Sequence, residues 1–275
     1  MSVKRILAVG AVALLAGTVL AACGGGGGGS SSNSTSTETM SPIVFCSDIT
    51  YPPEEFYPSA GAKPQGSDID IANDVAKQMG TTATFKNTGF DGIIGALNAN
   101  KCDAIISGMN DTADRRKQVD FVDYLKVGQS LMVKSGNPEN ITSLKDLSGK
   151  TVSVESGTTN RDFLAAQSAK LVKAGNKAIT IKTFPKDTDA ASALKAGRVD
   201  AYFGDSPVVV YYVSKDKSLA VGGSPINPIP IGIAVRKNSP LEPKIKSAIN
   251  ALYANGTMKK IVDKWGMTNA VTLLK

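Results

Sequence analysis

Ala193-Leu194-Lys195-Ala196-Gly197-Arg198-Val199-Asp200-Ala201 repeats, 97 positions on, the pattern of Ala96-Leu97-Asn98-Ala99-Asn100-Lys101-Cys102-Asp103-Ala104. Both stretches read as the end of a helix, a tight turn and the start of a buried strand. Each strand runs out at a small residue, Ser107-Gly108 in the first copy and Gly204-Asp205 in the second. Five identities in 13 positions are few. The shared order of helix end, turn and strand nonetheless predicts two α/β units of similar build. Ligands of open α/β sheets sit beyond the carboxyl ends of strands. Two such units facing one another would present Gly108 and Asp205 across one cleft.

The surrounding sequence continues the alternation of strand and helix. Ile43 to Ser47 is a short apolar strand. Ser67 is expected to cap a helix in which Ile71, Ala72, Val75, Ala76 and Met79 recur at helical spacing, with Gly80 ending it. Ala83 to Lys86 and Ala104 to Ser107 read as strands, with a helix opening at Asp91 between them. Thr151 to Val154, Ile179 to Phe184 and Ala201 to Phe203 are further strands, and Thr159 to Gly175, Thr188 to Ala196 and Pro207 to Val213 the helices that connect them. Leu241 to Trp265 reads as two helices broken at Asn255-Gly256. Such alternation implies an α/β fold with largely parallel sheets.

The N-terminus predicts the compartment. Lys4 and Arg5 precede an apolar run, Ile6 to Leu20, and then Ala21, Ala22 and Cys23. A basic start, a short apolar stretch and small residues before a cleavage point make a secretory signal. A membrane span needs roughly 20 apolar residues. Leu20-Ala21-Ala22-Cys23 resembles the bacterial lipobox, which implies a signal peptide over 1–22, cleavage before Cys23 and lipidation of that thiol. Gly24 to Gly29 and the Ser/Thr/Asn stretch to Ser41 cannot bury a core, so residues 23–42 are expected to form a tether spanning on the order of 25 Å. The expected location is outside the cytoplasm, lipid-anchored to the cell membrane and facing the periplasm or the exterior.

Charge and composition narrow the function. The chain carries 31 Lys+Arg against 24 Asp+Glu, a net +7, and losing Lys4 and Arg5 leaves 29 against 24, or +5. The excess is scattered, and no basic run interleaved with aromatics points to nucleic acid. The chain has no His, and no four-ligand set for a structural zinc remains. No metal and no cofactor are expected, nor any nucleophile–base pair. Beyond the tether the cysteines are Cys46 and Cys102. Cys46 falls late in one predicted strand and Cys102 just before another, which would hold them at different heights in parallel neighbours. Bridging needs Cα atoms within about 7 Å, so two free buried thiols are expected.

From Ile43 to Gly266 the chain resembles the polar amino-acid-binding proteins of ABC importers, the family-3 extracellular solute-binding proteins. The resemblance lies in Asp48-Ile49-Thr50-Tyr51-Pro52-Pro53, Gly66-Ser67-Asp68-Ile69-Asp70-Ile71-Ala72, Phe90-Asp91-Gly92-Ile93-Ile94 and Asp103-Ala104-Ile105-Ile106-Ser107-Gly108-Met109. It continues through Arg115-Arg116-Lys117-Gln118-Val119-Asp120-Phe121, Ser156-Gly157-Thr158-Thr159, Gly197-Arg198-Val199-Asp200-Ala201, Gly232-Ile233-Ala234-Val235-Arg236-Lys237 and Asn255-Gly256-Thr257. It implies a type II periplasmic-binding-protein fold, with lobe 1 over 43–124 plus 232–275 and lobe 2 over 129–226. Two hinge segments near 124–128 and 227–231 would join them, with the ligand in the cleft. It also implies a monomer that captures an amino acid and hands it to a membrane permease driven by an ATPase.

The same resemblance assigns roles. Arg115 matches the carboxylate clamp, a role suited to a guanidinium fork. Thr158 and Thr159 match its helpers at a strand-to-helix turn, where backbone N–H groups point outward. Asp205 matches the ammonium partner, although it is also placed to cap the helix starting at Ser206-Pro207. Gly108 offers a carbonyl. Asn110 stands where many members have Thr or Asp. Tyr51 and Phe90 match two aromatics that sandwich the ligand. Asp48 and Glu155 lie toward the far end of the ligand, and Val154-Glu155-Ser156-Gly157-Thr158-Thr159 with Phe203-Gly204-Asp205 looks like the arginine-binding branch. Two carboxylates at one ligand end repel unless a cation lies between them, so arginine, then lysine or ornithine, is the expected ligand. Glutamine or another polar amino acid follows instead if Glu155 turns to solvent. A cyclohexadienyl-dehydratase-like enzyme is the reading of another class, with Glu155 as general acid.

Overall fold

The computed structural model describes residues 40–274. The signal peptide, Cys23 and nearly all of the tether lie outside the described residues.

In chain order the elements are β1 (Ile43–Ser47), β2 (Thr50–Tyr51), β3 (Glu55–Phe56), α1 (Ser67–Gln78), β4 (Ala83–Asn87), α2 (Ile93–Asn98), β5 (Ala104–Ile105), α3 (Ala113–Arg116) and β6 (Val119–Lys134). There follow β7 (Thr151–Glu155), α4 (Thr159–Lys173), β8 (Thr180–Phe184), α5 (Asp187–Lys195), β9 (Ala201–Asp205), α6 (Ser206–Lys215), β10 (Leu219–Val221), β11 (Ile226–Arg236), α7 (Leu241–Ala254), α8 (Thr257–Lys264) and β12 (Val271–Leu273). Single 3-10 turns cover Phe90–Gly92 and Leu144–Leu147.

Ten strands form one sheet in the order β4-β1-β5-β11-β6-β9-β7-β8, with β10 and β12 also paired to β6. At each end three strands run parallel, β4-β1-β5 and β8-β7-β9. Between them the long β6 and β11 pair antiparallel, so the sheet is parallel at its flanks and antiparallel in its middle. The strand–helix alternation that predicts largely parallel sheets does not reveal β6 and β11, because neither belongs to a repeated βαβ unit. Each crosses from one core to the other.

The apolar core divides accordingly. Tyr124, Leu125 and Val127 of β6 pack with Phe45, Ile71, Ile233, Ile249 and Met258. Four to six positions beyond Val127 on the same strand, Leu131, Met132 and Val133 pack with Val152, Leu164, Ala193, Tyr202 and Phe203. The change of core falls at Gly128, and β11 shows a register shift against β6 between Ile226 and Ile229.

The repeated motif closes alike in both halves. Asn100 and Gly197 occupy the same position in it and both adopt left-handed backbone, φ 56° and 70°. The next N–H reaches back to a helix carbonyl in each copy, Lys101 to Ala96 (3.0 Å) and Arg198 to Ala193 (2.9 Å), as helix-terminating turns do. Asp103 and Asp200 then stitch turn to strand. Each donates its N–H to the central strand, to Val44 and Thr151 (both 2.8 Å), and accepts the N–H of that residue on its carboxylate (2.9 and 2.7 Å).

Two local expectations are corrected. Ser67 does not cap α1; Gly66 holds the cap position at φ 142°, where any Cβ would strike the Glu54 carbonyl, and Ser67 is the first helical residue. Cys46 and Cys102 are not free thiols but a disulfide, with Cα atoms 5.7 Å apart. The height argument fails because β5 has only two residues. Cys102 belongs to the turn arriving from α2, not to the ladder, and that turn sets it beside Cys46 among Ile93, Leu97 and Ile105.

Candidate functional site

The carboxyl ends of β1, β5, β7 and β9 converge on one buried cavity. Its lining includes Asp48, Tyr51, Phe90, Gly108, Asn110, Glu155, Thr158 and Asp205. Eight of the ten residues expected at a ligand thus meet there. Arg115 and Thr159 border it through direct contacts, described below. Glu55, Ser107 and Asn160 also line it and were not singled out.

The repeat explains why two acids face each other. Phe45 pairs with Ala104, and Val152 with Ala201, the matching residues of the two motifs. Three residues beyond Phe45 is Asp48, and three beyond Val152 is Glu155. The two are topological equivalents, each at the outgoing end of its central strand. Their surroundings differ. Asp48 is held at both oxygens, Oδ1 accepting from the Thr50 hydroxyl (2.8 Å) and Oδ2 from the Phe90 N–H (2.7 Å). Burial raises its pKa, opposed by those hydrogen bonds and by Lys186. Glu155 is only 4 % exposed, and its Oε1 is buried with no partner among the described residues. Burial, and then repulsion from Asp187, Asp48 and Asp205, lifts its carboxyl well above the usual range.

Asp205 and Tyr51 build the opposite corner. Asp205 sits at the cap position of α6 but its side chain makes no capping bond. Instead its Oδ1 accepts from Asn160 Nδ2 (3.1 Å), and its N–H donates to the Tyr51 hydroxyl (3.2 Å). Burial raises its pKa to about 6, with the Asn160 and Tyr51 hydrogen bonds and Arg115 opposing. Tyr51 lies against Gly108: a Cβ there would come 3.1 Å from the ring, and φ is +48°. Both the space and the backbone therefore require glycine.

Arg115 projects from α3, whose first turn is capped by Thr112. Its Nη1 donates to the Asn110 carbonyl (2.9 Å), its Nη2 to the Gly157 carbonyl (3.2 Å), and its guanidinium lies 5.2 Å from the Phe90 ring centre. Among the described residues these bonds use two of its five N–H groups. Thr158 caps α4, accepting from the Arg161 N–H (3.2 Å), and donates its hydroxyl to the Glu155 carbonyl (2.8 Å). Thr159 donates to Asn110 Oδ1 (2.5 Å). Ser107 links Asp48 to Glu55, accepting the Asp48 N–H (2.9 Å) and donating to Glu55 Oε1 (2.8 Å).

The cavity is about 10 Å³, room for one water molecule. Its walls are tied by contacts between distant parts of the chain. These are Arg115 to Gly157, Thr159 to Asn110, Ser156 Oγ to Asp91 Oδ2 (2.6 Å) and the Asp187 N–H to Thr50 Oγ1 (3.3 Å). An amino acid enters only if these walls part.

Of the missed lining residues, Asn160 follows directly on Thr158-Thr159, and Ser107 stood within a quoted motif. Glu55 had no signal beyond its place after Pro52-Pro53.

The family model of bacterial extracellular solute-binding proteins, family 3, matches residues 43–268. An Escherichia coli K12 protein named ABC transporter arginine-binding protein 1 is 34% identical over 233 residues, covering 81% of this chain and 90% of its own. The Bacillus subtilis 168 protein named ABC transporter glutamine-binding protein GlnH is 30% identical over 276 residues, covering 95% and 97%. The solved structure of an ancestral arginine-binding protein bound to arginine superposes with a TM-score of 0.75 at 38% identity, covering 82% of this chain and 99% of that one. The fold is the mixed α/β fold of type II periplasmic binding proteins. This chain belongs to the bacterial extracellular solute-binding proteins, family 3.

Proposed function

We propose that the chain captures a free L-amino acid with a cationic side chain, arginine first and then lysine or ornithine, and presents it to the permease of an ABC importer. Glu155 carries the reading. A buried carboxylate with an unpartnered oxygen, facing a second carboxylate at the equivalent place in the other half, calls for a cation between them. Arg115, with the N–H groups at Thr158 and Thr159, holds the ligand carboxylate. Asp205 and the Gly108 carbonyl hold the ammonium, Tyr51 and Phe90 flank the aliphatic stem, and Asn110 keeps Arg115 and Thr159 in place.

Lobes 43–124 plus 232–275 and 129–226 close by bending near 124–128 and 227–231, where the core changes hands along β6 and β11. A signal peptide over 1–22 and a lipid on Cys23 hold the domain at the membrane through the tether. Cys23→Ser is expected to release the protein from the membrane fraction, and its retention there would contradict the anchor.

One observation favours a second ligand, glutamine. Glu155, with its pKa raised well above the usual range, can take up a proton and then hydrogen-bond an amide. Relatives of both specificities are similar to this chain. Calorimetric titration with arginine, lysine and glutamine separates the two readings. An arginine preference supports the first, and equal or tighter glutamine binding the second.

A further inference from the structure

Beneath the cleft floor lies a group of acids with no cation against it among the described residues. Glu54 and Glu55, in and beside the β2–β3 turn, and Asp68 on α1 are 1 %, 0 % and 0 % exposed. Glu54 Oε2 and Glu55 Oε2 have no partner among the described residues. Asp68 is well served, accepting from the Tyr124 hydroxyl (2.7 Å) and the Gly108 N–H (2.8 Å). Glu55 has one oxygen served, Oε1 accepting from the Ser107 hydroxyl (2.8 Å), while Asp68 and Glu54 repel its charge. Glu54 has no such partner from another of the described residues: its one hydrogen bond comes from its own backbone N–H, and Oε2 is left without one. Its Cγ lies 4.0 Å from where a Cβ on Gly108 would sit, and Gly108 lines the cavity. The charged groups that act on it are Asp68 from α1, Asp205 from β9 and Asp187 from α5, all acids; its neighbours on β2 and β3, Tyr51 and Glu55, bring no positive charge either.

An unpaired buried carboxylate costs several kcal/mol, so Glu54 persists in the core either neutral or beside a cation supplied from outside the chain. The ligand's ammonium, seated at the Gly108 carbonyl and Asp205, is such a cation, one residue layer away. We propose that Glu54 is a further recognition residue for the ammonium of the captured amino acid, acting through the glycine floor: it holds a proton until the ammonium is seated and then gives that proton up to solvent. The proposal rests on amino-acid capture in this cleft, but not on which amino acid is captured, because every candidate brings the same ammonium.

Proton bookkeeping fixes the sign. Burial and acidic neighbours raise the Glu54 pKa well above the usual carboxylate range, and a seated cation lowers it again. Capture therefore releases a proton, and affinity falls as pH falls, by up to about tenfold per pH unit for one proton. At pH 7.5, Asp68 and Asp205, which lie at about 6, are already ionised and contribute little.

The test is calorimetry at pH 7.5 with the tightest-binding amino acid, arginine on the present reading, in buffers of different ionisation enthalpy. The proteins are wild type, Glu54→Gln and Glu155→Gln. The dependence of binding heat on buffer counts protons, a readout that a merely structural role for Glu54 would not move. Wild type is expected to release up to about two protons, one from Glu54 and one from Glu155 where the ligand is arginine, Glu155→Gln to keep about one, and Glu54→Gln to release about one fewer than wild type. Binding heat with no proton exchange in wild type overturns the proposal alone, as does release unchanged in Glu54→Gln. If Glu54→Gln fails to fold, release retained in Glu155→Gln supports the proposal and release abolished there overturns it. Absence of any binding heat is failure of the capture reading and removes the proposal with it.

Discussion

Replacing Arg115 by Lys removes geometry while keeping charge. In the structure both arms of the guanidinium are anchored, Nη1 on the Asn110 carbonyl at 2.9 Å and Nη2 on the Gly157 carbonyl at 3.2 Å, and its plane rests over Phe90. The remaining N–H groups are those available to a carboxylate. A lysine ammonium is a point donor with three N–H groups, and it cannot serve two carbonyls and both carboxylate oxygens together. At least one charge-assisted hydrogen bond is lost, worth about 1.5–3 kcal/mol. At 1.4 kcal/mol per decade, Arg115→Lys should bind about 10- to 100-fold more weakly. The factor should be similar for arginine, lysine and glutamine, since all three share the carboxylate. Calorimetry of each ligand with both proteins, after thermal melts confirm that the variant folds, gives the numbers. Unchanged affinity refutes the clamp, and a loss confined to one ligand shows that Arg115 reads side chains instead.

Three other perturbations follow from the geometry. Gly157 has φ +72°, and a Cβ there would lie 3.0 Å from the Asp91 Cα. Gly157→Ala should therefore leave the fold intact but oppose closure, weakening capture by about tenfold, roughly 1.4 kcal/mol, and an unchanged dissociation constant contradicts this. The Cys46–Cys102 bridge spans 56 residues and should contribute about 4 kcal/mol by the loop-entropy model. Reduction should lower Tm by roughly 10 °C, and an equal Tm with two titratable thiols would refute it. Asp68 and Asp205 at about 6 and Asp187 at about 7 are all raised by burial, so between pH 7.5 and 5.5 the folded chain binds more protons than the unfolded one. Stability should accordingly rise as pH falls through that window, by about 3 kcal/mol from these three groups alone, and a lower Tm at pH 5.5 would contradict it.

Local chemistry made much of this legible in sequence. The helix-ending turns at Asn100 and Gly197 and the strand-opening Asp103 and Asp200 announce the two βαβ units, because a left-handed residue and a side-chain staple leave few other structures open. The long strands were not legible. Val119–Lys134 and Ile226–Arg236 serve two cores in turn, and no single period describes a strand whose packing partners change at Gly128. The disulfide was misjudged for a similar reason, since a ladder height was assigned to Cys102, which lies in a turn. At the site, motif residues such as Asp48 and Asp205 could be named, whereas Glu54 could not. A buried acid is invisible in sequence until the fold shows that no cation among the described residues faces it.

The central claim, that Glu155 and Asp48 select a cationic side chain, is tested most directly by titrating wild type and Glu155→Gln with arginine and glutamine at pH 7.5. An unpaired buried charge costs several kcal/mol, so wild type should prefer arginine by about 100-fold or more. Glu155→Gln should narrow that ratio, with Asp48 preserving part of it. Equal affinity of wild type for the two ligands, or an unchanged ratio in the variant, would contradict the assignment.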